Sequence, residues 1–253
     1  MKINTFYILI LILFFQNTLA QSDSIQIDNH LTPNKKIEIQ QVAIPASLIT
    51  LGIVGQIKPL KQISTSTQQE VVKHFDRKYR FDDYLQYTPA LGVFALSNLG
   101  FQARHNLKER LIITATAYTI AGIGVNSIKY TTKVMRPDQS QANSFPSGHT
   151  TTAFVGAEIL WQEYKDENIW IGITGYTLAT TTGIMRIINN RHWITDVIAG
   201  AGLGILSAKI AYWILPTTSR WFSKDKNKSL ILTAIPTYIS ENKSGGLSIN
   251  LNF

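Results

Sequence analysis

Hydrophobic residues along this chain fall into blocks, and the blocks define its elements. Phe6 to Phe15 is an uninterrupted apolar run behind a positive start at Lys2, and Thr18-Leu19-Ala20 then offers small residues at the −3 and −1 positions of a cleavage site. That is the form of a secretory signal peptide over 1–20. An uncleaved N-terminal anchor has the same pattern, and in either case the chain is exported or enters a membrane. A polar stretch follows to about Gln40. Residues 42–57 are apolar but carry Pro45, Gly52 and Gly55; they fall below the usual spanning length and read as a half-buried or re-entrant helix. Residues 58–87 hold six Lys/Arg. Val71, Val72, Phe75 and Tyr79 recur there, which predicts an amphipathic helix at a membrane interface or packed on the domain.

Five apolar helices come next, at about 88–102, 111–130, 147–164, 168–188 and 194–214. The second and the last two approach or reach the length that crosses a bilayer. Their interiors are rich in Gly, Ala and Thr, as in the run from Ala199 to Gly204, which lets helices pack closely. A charged linker at 224–228 leads to two short strands, 230–240 and 246–253, joined across Glu241 to Gly245. Leu247, Ile249, Leu251 and Phe253 alternate on one face of that hairpin. The resulting division is 1–20 signal peptide or anchor; 21–84 polar segment, short apolar helix and amphipathic helix; 85–215 helical core; 216–253 linker and C-terminal β-hairpin. The fold class is all-α, a multi-helix membrane-associated bundle.

Composition narrows the choice of partner. The chain of 253 residues can bury one sizeable core. Its net charge of +8 fits an anionic lipid surface or a phosphorylated substrate. Nucleic acid is not expected, because the charge is dispersed, without a long Lys/Arg run or a known nucleic-acid-binding signature. Cysteine is absent, which excludes a disulfide framework and a Cys-based metal site. A mean hydropathy of +0.03 leaves membrane and soluble bundles both open, and helix length favours the membrane.

Candidate chemistry stands near three helix ends. Lys129 and Arg136 lie seven residues apart, about two helical turns, ahead of Pro137, which stops a helix. Pro146-Ser147-Gly148-His149 reads as a helix N-terminus, with Pro146 at the first helical position and the amides of Ser147, Gly148 and His149 free for an anion. Gly148 would let a ligand approach the backbone. In the third block Asn189-Asn190 reads as a turn between two helices. Arg186 ends the first helix, and His192 and Asp196 share a face of the next at i, i+4. Singly, each block has a bland reading as a dipole cap, a helix start or a surface ion pair. Together, two arginines and a lysine can neutralise a phosphate dianion. Two histidines can supply a nucleophile and a leaving-group acid, with Asp196 orienting His192. No His or carboxylate cluster has metal-ligand spacing, so the cations take the place of a metal and no cofactor is expected.

The order Lys-x6-Arg-Pro, Pro-Ser-Gly-His and Arg-x5-His-x3-Asp resembles the type 2 phosphatidic acid phosphatase and vanadium haloperoxidase superfamily, over roughly 85–215. One departure is Met185 before Arg186, where that family usually has Ser. The resemblance implies a helical core with a buried anion pocket. In it Lys129, Arg136, Ser147, Gly148 and Arg186 bind phosphate, His192 is the nucleophile oriented by Asp196, and His149 is the general acid. It implies a metal-independent phosphatase acting on a phosphate monoester or pyrophosphate through a phosphohistidine intermediate. Its candidate substrates are phosphatidic acid, phosphatidylglycerol phosphate, undecaprenyl pyrophosphate and lipid A. A soluble periplasmic acid phosphatase of broad specificity is the alternative; a vanadate-dependent haloperoxidase and a non-enzymatic envelope protein stand behind it. If 42–57 does not span, the site faces the periplasm and Arg104, Lys108, Arg110 and the tail lie inside, in line with positive-inside bias. The expected location is therefore the inner membrane of a bacterial envelope.

Overall fold

The structure, a computed structural model, describes residues 39–75 and 80–222 and the strands Ile231–Ile239 and Ser244–Asn252. The expected signal peptide and most of the polar stretch after it lie outside the described residues, as do Tyr79 and the linker at 224–228. Eight helices occur among the described residues: α1 (Ile39–Val54), α2 (Lys58–His74), α3 (Asp82–Leu85), α4 (Thr88–Asn98), α5 (Leu107–Thr132), α6 (Gly148–Tyr164), α7 (Ile169–Ile188) and α8 (Ile194–Phe222). The strands β1 (Ile231–Ile239) and β2 (Ser244–Asn252) pair antiparallel, with Ile235 opposite Ser248.

Local chemistry sets the helix ends. Asn106 caps α5 by accepting from the Glu109 amide at 2.9 Å, while the Glu109 carboxylate accepts from the Asn106 amide at 3.3 Å. Such a cap contributes about 1 kcal/mol. It also moves the start of α5 back from the expected 111 to Leu107, taking in the charged Lys108, Glu109 and Arg110. Asn168 caps α7 through the Trp170 amide. Asn189 and Asn190 end that helix as expected, with Asn190 at φ +59°, a backbone Asn tolerates better than most residues.

Small residues draw the helices together. A Cβ on Gly200 would stand 2.7 Å from the Ser147 carbonyl, and one on Gly204 2.6 Å from that of Thr151, so α8 lies against the start of α6. A Cβ on Gly202 would stand 2.6 Å from the Pro45 carbonyl, on the opposite side. The alternation in the 199–204 run thus serves two partners, α6 and α1. Val93, Ile113, Ala117, Ile159, Tyr164 and Ala208 form the apolar core where α4, α5, α6 and α8 meet.

α5 and α8 are long and apolar enough to cross a membrane. α7 has the length expected of a span but does not reach that apolarity, because its threonines and Arg186 dilute it. α1 lies along α8, leaving Ile44, Leu51 and Ile53 exposed. The helix expected at 58–87 is broken into α2 and α3. Ser64 and Gln68 are the buried positions of α2, while Val72 and Phe75 are exposed. Gln68 decides this: its Nε2 donates to the Ile187 carbonyl and to Asn190 Oδ1, both at 2.9 Å. Arg110 also departs from expectation. It is buried, donating to the Val93 carbonyl at 2.6 Å and to the Tyr164 hydroxyl at 3.1 Å. It therefore belongs to the core and does not count among loop charges that orient a membrane protein.

Candidate active site

The end of α5, the loop from Lys133 to Ser147, the start of α6 and the turn between α7 and α8 carry the three sequence blocks. Phe145–Pro146 is cis, and α6 starts at Gly148 with Ser147 as its N-cap. Pro146 is therefore two residues before the helix and not its first residue. The Ser147 amide is not free either, since it donates to the Asp196 carbonyl at 3.0 Å. That bond ties the α6 start to the α8 start. The Ser147 hydroxyl oxygen accepts from the Thr150 hydroxyl at 2.8 Å. Gly148 and His149 remain as first-turn amides without an intrahelical acceptor. At Gly148 a Cβ would meet, among the described residues, only Val125 Cγ1 at 3.8 Å, an ordinary contact; packing among those residues does not require glycine there.

His192 is 2% exposed and Asp196 fully buried. Asp196 Oδ2 accepts from the Ser144 hydroxyl at 2.5 Å and the Trp193 amide at 2.9 Å, and Oδ1 accepts from Gln56 Nε2 at 3.2 Å. His192 Nδ1 lies 3.5 Å from Asp196 Oδ2 and 3.4 Å from Ser144 Oγ. The single hydroxyl proton of Ser144 goes to Asp196, so both oxygens facing Nδ1 are acceptors. Nδ1 must then carry the ring proton, and Nε2 keeps its lone pair. Burial pushes the His192 pKa down to about 4; Asp196 opposes this, while the charges of Lys129 and Arg186 add to it. At neutral pH the imidazole is neutral.

Arg186 is 7% exposed, and its Nη1 donates to Asp82 Oδ2 at 2.6 Å, with Asp83 Oδ1 at 3.5 Å. Asn189 Nδ2 donates to the other oxygen of Asp82 at 3.1 Å. Among the described residues the buried Nε atoms of Arg136 and Arg186, like that of Arg110 in the core, have no hydrogen-bond partner. A buried donor left unsatisfied costs about 1–3 kcal/mol, more when charged, and an oxyanion would relieve the first two. Lys129 Nζ donates to the Asn143 carbonyl. His149 Nε2 lies 2.9 Å from Asp83 Oδ1. Its pKa is held below the usual histidine value by burial and then by Arg186, with Asp83 and Asp82 pulling upwards.

The eight residues expected from sequence thus gather at neighbouring helix ends, with Arg186 acting electrostatically on Lys129, Arg136, His149 and His192. Sequence reasoning missed Asp82, Asp83, Ser144 and Gln56. Each meets its partner in the site across 48 residues or more; the adjacent carboxylates of Asp82-Asp83 between aromatic residues were the one visible signal.

Cations at the ends of α5 and α7 and in the loop after α5, two imidazoles and a buried carboxylate make a helical protein with a site able to hold a tetrahedral oxyanion. The chain belongs to the PAP2 superfamily, whose sequence profile matches residues 110–220. It is 36% identical over 172 residues to the lipid A 1-phosphatase of Porphyromonas gingivalis, a match that takes in 68% of this chain and 37% of that protein. It is 30% identical over 155 residues to the bacitracin transport permease protein BcrC of Bacillus licheniformis, covering 56% of this chain and 71% of that one. The chain therefore spans little more than a third of the lipid A 1-phosphatase. Among solved structures, Aquifex aeolicus LpxE is similar over 57% of this chain and 93% of its own, at 23% identity and a TM-score of 0.44. The first transmembrane PAP2 type phosphatidylglycerolphosphate phosphatase from Bacillus subtilis is similar over 75% of this chain and all of its own, at 18% identity and a TM-score of 0.42.

Proposed function

We propose that this chain is a metal-independent phosphatase that removes a phosphate from a lipid monoester or pyrophosphate, through a phosphohistidine on His192. The observation that carries the reading is the convergence of Lys129, Arg136 and Arg186 on the buried His192–Asp196 pair, with the Nε donors of both arginines unpartnered among the described residues. Lys129, Arg136 and Arg186 neutralise the bound phosphate, and the Gly148 and His149 amides add donors at the positive end of α6. His192 Nε2 attacks phosphorus, the bond to the leaving oxygen breaks, and His149 gives that oxygen a proton. Asp196 and Ser144 hold Nδ1 throughout. Water then attacks the phosphohistidine, His149 takes its proton, and phosphate leaves. Hydrolysis is expected to persist in excess chelator and to be inhibited by vanadate, which mimics five-coordinate phosphorus. Activity lost to chelator and restored by a divalent ion would overturn the mechanism.

The lipid nature of the substrate rests on the span-length helices α5 and α8 and on a cavity of about 240 Å³ beside the proton donor. Gly148, His149, Tyr87, Tyr118, Gly122 and Val125 are among the residues that line it. The Porphyromonas gingivalis relative, a lipid A 1-phosphatase, agrees with a lipid substrate. Phosphatidic acid, phosphatidylglycerol phosphate, undecaprenyl pyrophosphate and lipid A are the candidates, presented at the periplasmic face of the inner membrane. Among the described residues a Cβ on Gly122 would meet nothing within 4 Å, so Gly122→Leu should fold and fill the cavity. Hydrolysis of phosphatidic acid in mixed micelles is expected to fall at least tenfold, and that of p-nitrophenyl phosphate far less. Equal losses on both would show that the cavity does not take the leaving group.

A further inference from the structure

α3 brings two successive carboxylates to the site, and their surroundings differ. Successive helical side chains diverge by about 100°: both carboxylates reach Arg186 Nη1, Asp82 at 2.6 Å and Asp83 at 3.5 Å, but their other partners differ. Asp82 is 1% exposed and bonded to Arg186 and Asn189. Those contacts account for it as a buried counter-charge that keeps the guanidinium in place. Asp83 is different: half its side chain is exposed, yet it meets His149 Nε2 at 2.9 Å. A half-exposed pair of this kind contributes little to stability. It occupies one of the two ring nitrogens of the group assigned here to deliver a proton.

We propose that Asp83 is a positioning residue for the proton donor, holding the His149 imidazole by Nε2 so that Nδ1 delivers the proton to the leaving oxygen. The inference rests on the phosphatase reading above. In the step, the imidazolium of His149, favoured by the bound phosphate dianion and Asp83 against burial and Arg186, loses its Nδ1 proton to the leaving oxygen as the phosphorus–oxygen bond breaks. The ring is left neutral, with its remaining proton on Nε2 shared with Asp83. Nδ1 then takes the proton of the attacking water. His192 works the other way round, with Nδ1 held by Asp196 and Ser144 and Nε2 reacting. The charged groups that act on His149 are Asp83 and Asp82 from α3 and Arg186 from α7. Burial and Arg186 oppose the protonated ring, and the Asp83 carboxylate favours it. Removing that carboxylate therefore takes the acid form away at lower pH.

Asp83→Asn and Asp83→Glu, assayed over a pH series on hexyl phosphate and p-nitrophenyl phosphate, test this. In Asp83→Asn the alkyl ester is expected to lose at least tenfold at neutral pH, within the 10²–10⁴-fold span that general acid catalysis supplies. Its alkaline limb should move to lower pH, while the nitrophenyl ester, which needs no proton on its leaving group, loses much less. Asp83→Glu should recover most of the alkyl activity. Equal losses on both esters, or an unmoved alkaline limb, would reduce Asp83 to a structural role. A second readout does not depend on turnover. In protein labelled with ¹⁵N-histidine, the resonance missing from His149→Ala should titrate at lower pH in Asp83→Asn than in the parent. An unchanged titration overturns the proposal even in an active phosphatase. Absence of hydrolysis in the parent chain would count against the phosphatase reading and leave the titration to decide Asp83.

Discussion

His192→Ala is expected to abolish hydrolysis of every phosphate ester, whatever its leaving group. The reason lies in the bonding around the ring. Ser144 and Asp196 both present acceptors to Nδ1, which leaves the Nε2 lone pair as the reactive group. Burial keeps the imidazole neutral, with a pKa lowered to about 4. The sign of that shift matters: a depressed pKa means the nucleophilic form is present above about pH 4 and is lost only on further acidification. His192 therefore does not set an acid limb near neutrality. His149→Ala should behave differently, losing about 10²–10⁴-fold where the leaving oxygen needs a proton and far less with p-nitrophenyl phosphate. The deciding measurement is the ratio of nitrophenyl to alkyl hydrolysis in each variant. If His149→Ala lowers both equally while His192→Ala spares the nitrophenyl ester, the two roles are exchanged.

Arg186→Lys should lower kcat/KM on the order of 10²–10³-fold, the range found when one donor to a developing charge is removed. Lysine keeps the charge, so Asp82 retains a counter-ion. This avoids leaving a carboxylate buried and unpaired, which would cost about 3–5 kcal/mol and confuse the reading with unfolding. What lysine lacks is the planar fork: one guanidinium edge is spent on Asp82, while Nε is buried without a partner. An ammonium bonded to Asp82 has no rigid second edge to offer a phosphate. Near-parental kinetics with an unchanged melting temperature would show that Arg186 does not grip the substrate and that its bond to Asp82 is its whole role.

How far the site was legible depends on how near in sequence its partners lie. The pairing of His192 with Asp196 spans one helical turn and is read from spacing alone. The Asn189-Asn190 turn is read from the backbone those residues tolerate. The bond from Asp83 to His149 spans 66 residues and that from Ser144 to His192 spans 48, and no local period marks either. Pro146 and Ser147 show a subtler limit. Residue type placed a helix start there, but the boundary fell two residues later: Ser147 is extended at ψ 111° and caps the helix, with its amide bonded to the Asp196 carbonyl of another helix. At Arg110 the side chain looked like a loop charge and proved to be a core group, since the Val93 carbonyl and Tyr164 hydroxyl give its guanidinium partners away from water.

By itself the sequence determined the helical class, the turns and the three blocks of charged and titratable residues, because each depends on contacts within a turn or two of chain. The tertiary structure decided which ring nitrogen of His192 is free, which amides of the α6 start remain unbonded, and which carboxylates stand beside Arg186 and His149. Those outcomes depend on how closely the helices approach. That approach is set by Gly200 and Gly204 of α8 lying against the carbonyls of Ser147 and Thr151, and hydrogen bonding reaches only about 3 Å across such a contact. A helical period carries no information about distances of that order between elements far apart in the chain.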